Sequence, residues 1–259
     1  MKRARVAMLC LAEVLCWAAA CDARAASLED VIAKLKPSIV AVGTYQRTGS
    51  AQFVFRGTGF AIGDGTLVVT NAHVLPESLN LEKMESVAVV VPMGAEGELK
   101  RREARAVSVD KDHDLAIVRI SGPALPALAI SKETIAREGQ SAAFTGFPIG
   151  SVLGLVPVTH RATIGAITPI ALPAANARQL DDRILRRIQG GAFSVLQLDA
   201  TAYPGNSGSP LYDASTGEVL GIINMVFVKG TKESVLSQPS GISFAVPVKY
   251  LADLLANPK

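Results

Sequence analysis

The stretch "LDATAYPGNSGSP", Leu198 to Pro210, sets Ser207 two residues after one glycine and directly before another, with Pro210 closing the turn. Gly205 and Gly208 can take backbone angles that residues carrying a Cβ resist, and Pro210 sets the direction of exit. Such a turn pushes a serine hydroxyl outward while nearby amides converge on one point. The same composition also occurs in plain tight loops, so its meaning rests on its surroundings. Its flanks, "SVLQL" (194–198) and "SPLYD" (209–213), both read as strands. A serine carried between two strands argues against the strand–turn–helix elbow of α/β folds and for an all-β architecture.

Working outward, the same pattern recurs along the chain. Apolar, β-branched runs separated by turn residues are "SIVAVGTY", "FVFRGTGFAI", "LVVTN", "VAVVVP", "ARAVSV" and "LAIVRI" in the first half. "SAAFTGF", "VTHRATIGAI", "SVLQL", "SPLYD", "VLGIINMV" and "GISFAVPV" follow in the second. Six and six strands, joined near "SGPALPALAISKE", predict two six-stranded antiparallel β-barrels with short helices at the two ends. The composition agrees: 22 Gly and 14 Pro supply turns, and 49% hydrophobic residues over 259 positions allow a sizeable core. The N-terminal helix is expected in "SLEDVIAKLKPS", where Ser27 and Asp30 have capping-box spacing and Leu28, Val31, Ile32 and Leu35 share a face. The C-terminal one is expected in "VKYLADLL", with Pro247 at its first position and Val248, Leu251 and Leu255 facing inward. "NARQLDDRILRRIQGG" (176–191) reads as an amphipathic helix laid on the barrel surface. No internal repeat is detectable.

Residues 1–25 read as an export signal, with Lys2, Arg3 and Arg5 before a short apolar run and "ARA" as a cleavage site. The run is too short and too interrupted, by Glu13, for a stable membrane span. "AAAC", ending at Cys21, offers lipid anchoring as a second processing route, weakened by Ala18 standing where leucine is usual. The expected division is 1–25 leader, 26–125 first barrel and 126–259 second barrel with the closing helix. All three cysteines lie in the leader, so the mature chain has no disulfide framework and no thiolate metal site. The leader also holds four basic residues against two acidic ones, two of the chain's three net positive charges. The remainder is near neutral, which disfavours nucleic acid as a partner.

Acyl transfer by a serine needs a base for the hydroxyl proton, an acid to orient that base, and donors for the oxyanion. The chain has three histidines. His73, in "LVVTNAHVL", ends an apolar strand and enters a helical turn. His113 lies among Asp110, Asp112 and Asp114, a pattern that suggests a solvated turn. His160 is mid-strand with no acid beside it and reads as structural. Asp114 directly precedes the strand "LAIVRI" and can be drawn between the barrels, where a buried carboxylate needs a partner such as an imidazole N–H. Asp110 and Asp112 are expected to face water.

"TNAHV", "DHDLAIV" and "GNSGSP" resemble the three signature segments of trypsin-like serine proteases of the chymotrypsin fold, and most of all the HtrA/Deg branch. "RGTGFAI", "GFPIG", "ATIGAI" and "GISFAVPV" extend the likeness over nearly the whole mature chain. The resemblance implies His73 as general base, Asp114 as its orienter and Ser207 as nucleophile, with the N–H groups of Gly205 and Ser207 as oxyanion hole. Ser209, which replaces a glycine usual in the family, precedes Pro210 and is a poorer nucleophile. Thr201 falls at the base of the S1 pocket implied by the resemblance, and "GIINMV" (Ile223, Asn224, Met225) supplies a wall. A non-acidic base implies cleavage after small or medium aliphatic residues. HtrA-type chains usually continue into PDZ domains; this one stops at Lys259, so no PDZ-based capture is expected.

The reading is therefore an exported, periplasmic or secreted, serine endopeptidase acting on polypeptides, with no metal or organic cofactor. A protease-fold binding or chaperone-like protein with a latent triad is the alternative. An oligomer is not indicated.

Overall fold

The computed structural model describes residues 27–47, 52–93, 98–130, 136–169, 193–224 and 241–259. Residues 1–25 and 176–191, read above as a leader and a surface helix, lie outside them. Helix α1 (Leu28–Leu35) starts where the sequence predicts. Ser27 Oγ accepts from Asp30 N and Asp30 Oδ2 accepts from Ser27 N, so two donors at the helix start are satisfied reciprocally. Pro37 lies in the 3-10 turn Lys36–Ser38 that follows. Val31 and Leu35 are buried, and Leu28 and Ile32 border them half-buried.

Twelve strands follow. The first barrel comprises β1 (Ile39–Tyr45), β2 (Phe53–Ile62), β3 (Leu67–Thr70), β4 (Ser86–Met93), β5 (Glu98–Asp110) and β6 (Leu115–Ile120). It closes in the order β1-β2-β3-β6-β5-β4. The second comprises β7 (Ser141–Gly146), β8 (Val158–Pro169), β9 (Ser194–Asp199), β10 (Pro210–Asp213), β11 (Val219–Ile223) and β12 (Ile242–Pro247). Its order is β7-β8-β9-β12-β11-β10, so the two barrels share one topology that no sequence repeat announces. Every pairing between these strands is antiparallel, and closure leaves no free edges. A register shift at Val42/Gly43 bends β1, and a Cβ on Gly43 would lie 2.1 Å from Val54 O.

The segment after β6 stitches the barrels together. Leu125 N and Leu128 N donate to Gly65 O and Ala61 O of the first barrel, and Ala129 O accepts from Val219 N of the second. One core cluster crosses the junction, joining Ile39, Phe60 and Leu115 to Phe147, Tyr212 and Val246. After the short α2 (Gly150–Leu153), helix α3 (Val248–Ala256) packs on the same cluster. Two details differ from expectation. Pro247 caps α3 from outside rather than occupying its first turn, and Leu254, not Leu255, completes the fully buried stripe with Val248 and Leu251. The three-residue step from Leu251 brings Leu254 more squarely under the helix, leaving Leu255 at the margin. Among the described residues no helix is long and apolar enough to cross a membrane.

Candidate active site

Strand β3 ends at Thr70 and the chain enters a 3-10 turn, Ala72–Val74, that carries His73 to the cleft between the barrels. The β5–β6 turn brings Asp114 against it. His73 Nδ1 lies 2.6 Å from Asp114 Oδ2, and His73 N donates to Asp114 Oδ1 at 2.9 Å. Asp114 is 8% exposed, so its charge needs these partners. Its backbone is also held. Asp114 O accepts from Ala72 N at 3.1 Å and from Asn71 Nδ2 at 3.0 Å. These four bonds constrain a residue with φ +56, the left-handed region that costs an aspartate of order 1–3 kcal/mol.

A further donor comes from the second barrel. Asn224 follows β11 and donates from Nδ2 to Asp114 Oδ2 at 2.7 Å, with its side chain fully buried. The sequence reading sets Asn224 at a pocket wall; its side-chain amide bonds the carboxylate. Ile223 is fully buried in the second barrel's core, and Thr201 is half-buried at the start of the loop after β9. Met225 lies outside the described residues.

The turn that carries Ser207 is built on its two glycines, Gly205 at φ +102 and Gly208 at φ +86. A Cβ on either would strike backbone, Phe147 O at 2.3 Å or Thr58 O at 2.1 Å. Asn206 N donates to Tyr203 O, Gly208 N to Ile223 O and Ser209 N to Asn206 O. The amides of Gly205 and Ser207 donate to no group among the described residues. First-barrel residues brace the turn: Thr58 N donates to Ser207 O at 2.8 Å, and Thr58 Oγ1 donates to Gly205 O at 2.7 Å. Gly57, beside Thr58, marks how close the barrels come. A Cβ there would meet Val74 Cγ2 at 2.7 Å and Ser207 O at 2.9 Å, with Val74 adjacent to His73.

The other acids and histidines take different places. Asp110, expected to face water, is buried, because His113 Nδ1 lies 2.8 Å from its Oδ2 and Lys259 Nζ pairs with it at 3.1 Å. Burial pushes its carboxyl up, but bonds from His113 and Lys259 outweigh that and hold it below the usual range. His113 is not simply solvated either: its ring stacks on Tyr250 of α3 at 4.1 Å. His160 stacks on Phe144, and burial lowers its pKa, as suits a structural imidazole. Asn224, Thr58 and Asn71 went unassigned as supports of the site. All three sit in segments that sequence reading marked, Thr58 in "RGTGFAI", Asn71 in "TNAHV" and Asn224 in "GIINMV", but for other reasons.

Residues 57–222 match the family model of the trypsin-like peptidase domain. The chain is 30% identical over 198 residues to a probable periplasmic serine endoprotease, DegP-like, of Halomonas elongata, covering 76% of this chain and 34% of that protein. It is 27% identical over 237 residues to serine protease HTRA1A of Danio rerio, covering 88% of this chain and 40% of that one. The chain thus spans well under half the length of these curated relatives. A serine endoprotease structure from Yersinia pestis superposes with a TM-score of 0.60 at 23% identity, over 89% of this chain and 66% of that one; at that identity it speaks for the fold alone. Two like-wound barrels, an imidazole–carboxylate pair in the cleft and a glycine-flanked serine turn therefore meet a family match over most of the chain, and the protein belongs to the trypsin-like peptidase family, resembling its HtrA/Deg branch.

Proposed function

We propose that this domain is a serine endopeptidase in which Ser207 attacks the scissile carbonyl, His73 takes the hydroxyl proton and Asp114 orients the ring. The observation that carries the reading is the 2.6 Å bond from His73 Nδ1 to a buried Asp114, beside a serine turn whose Gly205 and Ser207 amides donate to no group among the described residues. A neutral His73 with its Nδ1 proton on Asp114 leaves Nε2 as the acceptor for Ser207 Oγ–H. As the acyl carbon becomes tetrahedral, its oxygen gains charge, and the Gly205 and Ser207 amides stabilise that charge more than the ground-state carbonyl. Imidazolium formed on His73 then gives its proton to the leaving amine. Water repeats the sequence in reverse to release the acyl group.

The finer readings follow from the same site. The domain acts on exposed polypeptide segments after export to the periplasm or beyond, and the half-buried, uncharged Thr201 at the pocket base favours small or medium aliphatic P1 residues. A fluorophosphonate probe tests the core claim. Labelling of the parent that disappears in Ser207→Ala is the expected result; no labelling of a folded parent under any condition would refute it. A peptide library dominated by Lys or Arg at P1 would refute the specificity.

A further inference from the structure

Thr58 lies on β2 of the first barrel, fully buried, yet its N–H and its hydroxyl are both engaged on the serine turn of the second. Its N–H donates to Ser207 O at 2.8 Å and its hydroxyl to Gly205 O at 2.7 Å. The hydroxyl also accepts from Phe147 N at 3.1 Å, and its carbonyl accepts from Thr70 Oγ1 at 2.7 Å. The two residues whose amides serve as oxyanion donors in the proposed mechanism thus both have their carbonyls tied to one residue. We infer that Thr58 is a positioning residue for the oxyanion hole: its hydroxyl locks the turn around Gly205 so that the Gly205 N–H faces the substrate.

The physical argument starts at Gly205. Its φ of +102 belongs to a residue with little intrinsic resistance to rotation, so the direction of its N–H is set from outside. A trans peptide points its N–H opposite to the preceding C=O. Pro204 O accepts from Ile149 N at 2.7 Å, which turns the Gly205 N–H away from Ile149. The next plane is set by Thr58 through Gly205 O. With both planes fixed, Gly205 cannot rotate without breaking a short, partly buried bond. The Thr58 hydroxyl also joins the two anchors, since Phe147, which donates to it, lies two residues before Ile149. Losing that hydroxyl leaves Gly205 O and Phe147 N without their partner and frees the peptide to turn. The consequence falls on the transition state, where the amide bonds a charged oxygen, more than on substrate binding.

The inference rests on the proposed mechanism, and its test separates the two. Thr58→Val keeps shape and removes the hydroxyl; Thr58→Ser keeps the hydroxyl; Thr58→Cys keeps size with a weak donor. Active-site labelling and peptide turnover are measured on the full chain, normalised to folded protein by thermal unfolding. Thr58→Val should lower kcat roughly 10–100-fold with KM within about twofold, Thr58→Cys should fall between, and Thr58→Ser should stay within about threefold of the parent. Should Thr58→Val fail to fold, Thr58→Cys against Thr58→Ser carries the test. Equal kcat in the hydroxyl-bearing and hydroxyl-lacking variants, or a loss confined to KM, overturns the inference while a parent that labels keeps the protease reading. A folded parent that never labels overturns both.

Discussion

Replacing Asn224 with leucine tests whether the cleft works as a unit assembled from both barrels. The two side chains are close in size and the site is fully buried, so the change removes the amide with little loss of packing. Asp114 Oδ2 then keeps His73 Nδ1 but loses its 2.7 Å donor. A hydrogen bond to a charged group contributes about 1.5–3 kcal/mol net, and the burial of Asp114 argues for the upper part of that range. For a chain of this size each kcal/mol moves Tm by about 2–4 °C, so Asn224→Leu should lower it by roughly 5–10 °C. Loss of a triad carboxylate's function costs about 10⁴ in kcat; here both bonds between Asp114 and His73 remain, so the loss in labelling rate should be nearer 10–100-fold. The assay pairs thermal unfolding with the second-order rate of fluorophosphonate labelling on the folded variant. A stable Asn224→Leu protein that labels at the parental rate would show that the amide does not orient the carboxylate.

Three further outcomes are expected. Gly205→Ala should fold but lose labelling, because its Cβ would lie 2.3 Å from Phe147 O, whereas Gly139→Ala, at φ +80 with nothing within 4 Å, should lower Tm slightly and keep parental turnover. Asp213, the last residue of β10, is pushed up by partial burial, yet bonds from Ser215, Gln140 and the Thr216 amide prevail and bring its pKa to about 2 from an ordinary 3.8. A depressed carboxyl stabilises the fold above the unfolded value and loses that contribution as pH falls from about 4 to about 2. Urea unfolding of Asp213→Ala should therefore trail the parent by about 1 kcal/mol at pH 7, after allowing for solvent screening, and the gap should shrink at pH 2; an unchanged gap would contradict the assignment. Unfolding should likewise show His160→Phe close to the parent in stability and activity, since the ring stacks on Phe144 and its buried Nε2 has no partner among the described residues.

Much of the molecule was legible along the chain, because local rules decide local structure. Twelve apolar runs became twelve strands, the Ser27–Asp30 pair started α1, and "GNSGSP" formed a turn that only glycines at 205 and 208 can make. His73 and Asp114 could be paired from motif order alone, and the structure sets them 2.6 Å apart. Asp110 was misjudged because its partners, His113 and Lys259, include one 149 positions away. The support residues escaped for the same reason. Asn224 serves a carboxylate 110 positions earlier, and Thr58 braces a turn about 147 positions later. A polar side chain in a strand-rich segment carries no mark of whether it meets water, a pocket or a distant charge. Sequence alone thus determined the strands, the turns and the chemical parts. Which buried donors hold those parts was decided only when the two barrels closed and packed, since partnership between groups so far apart depends on where the fold puts them.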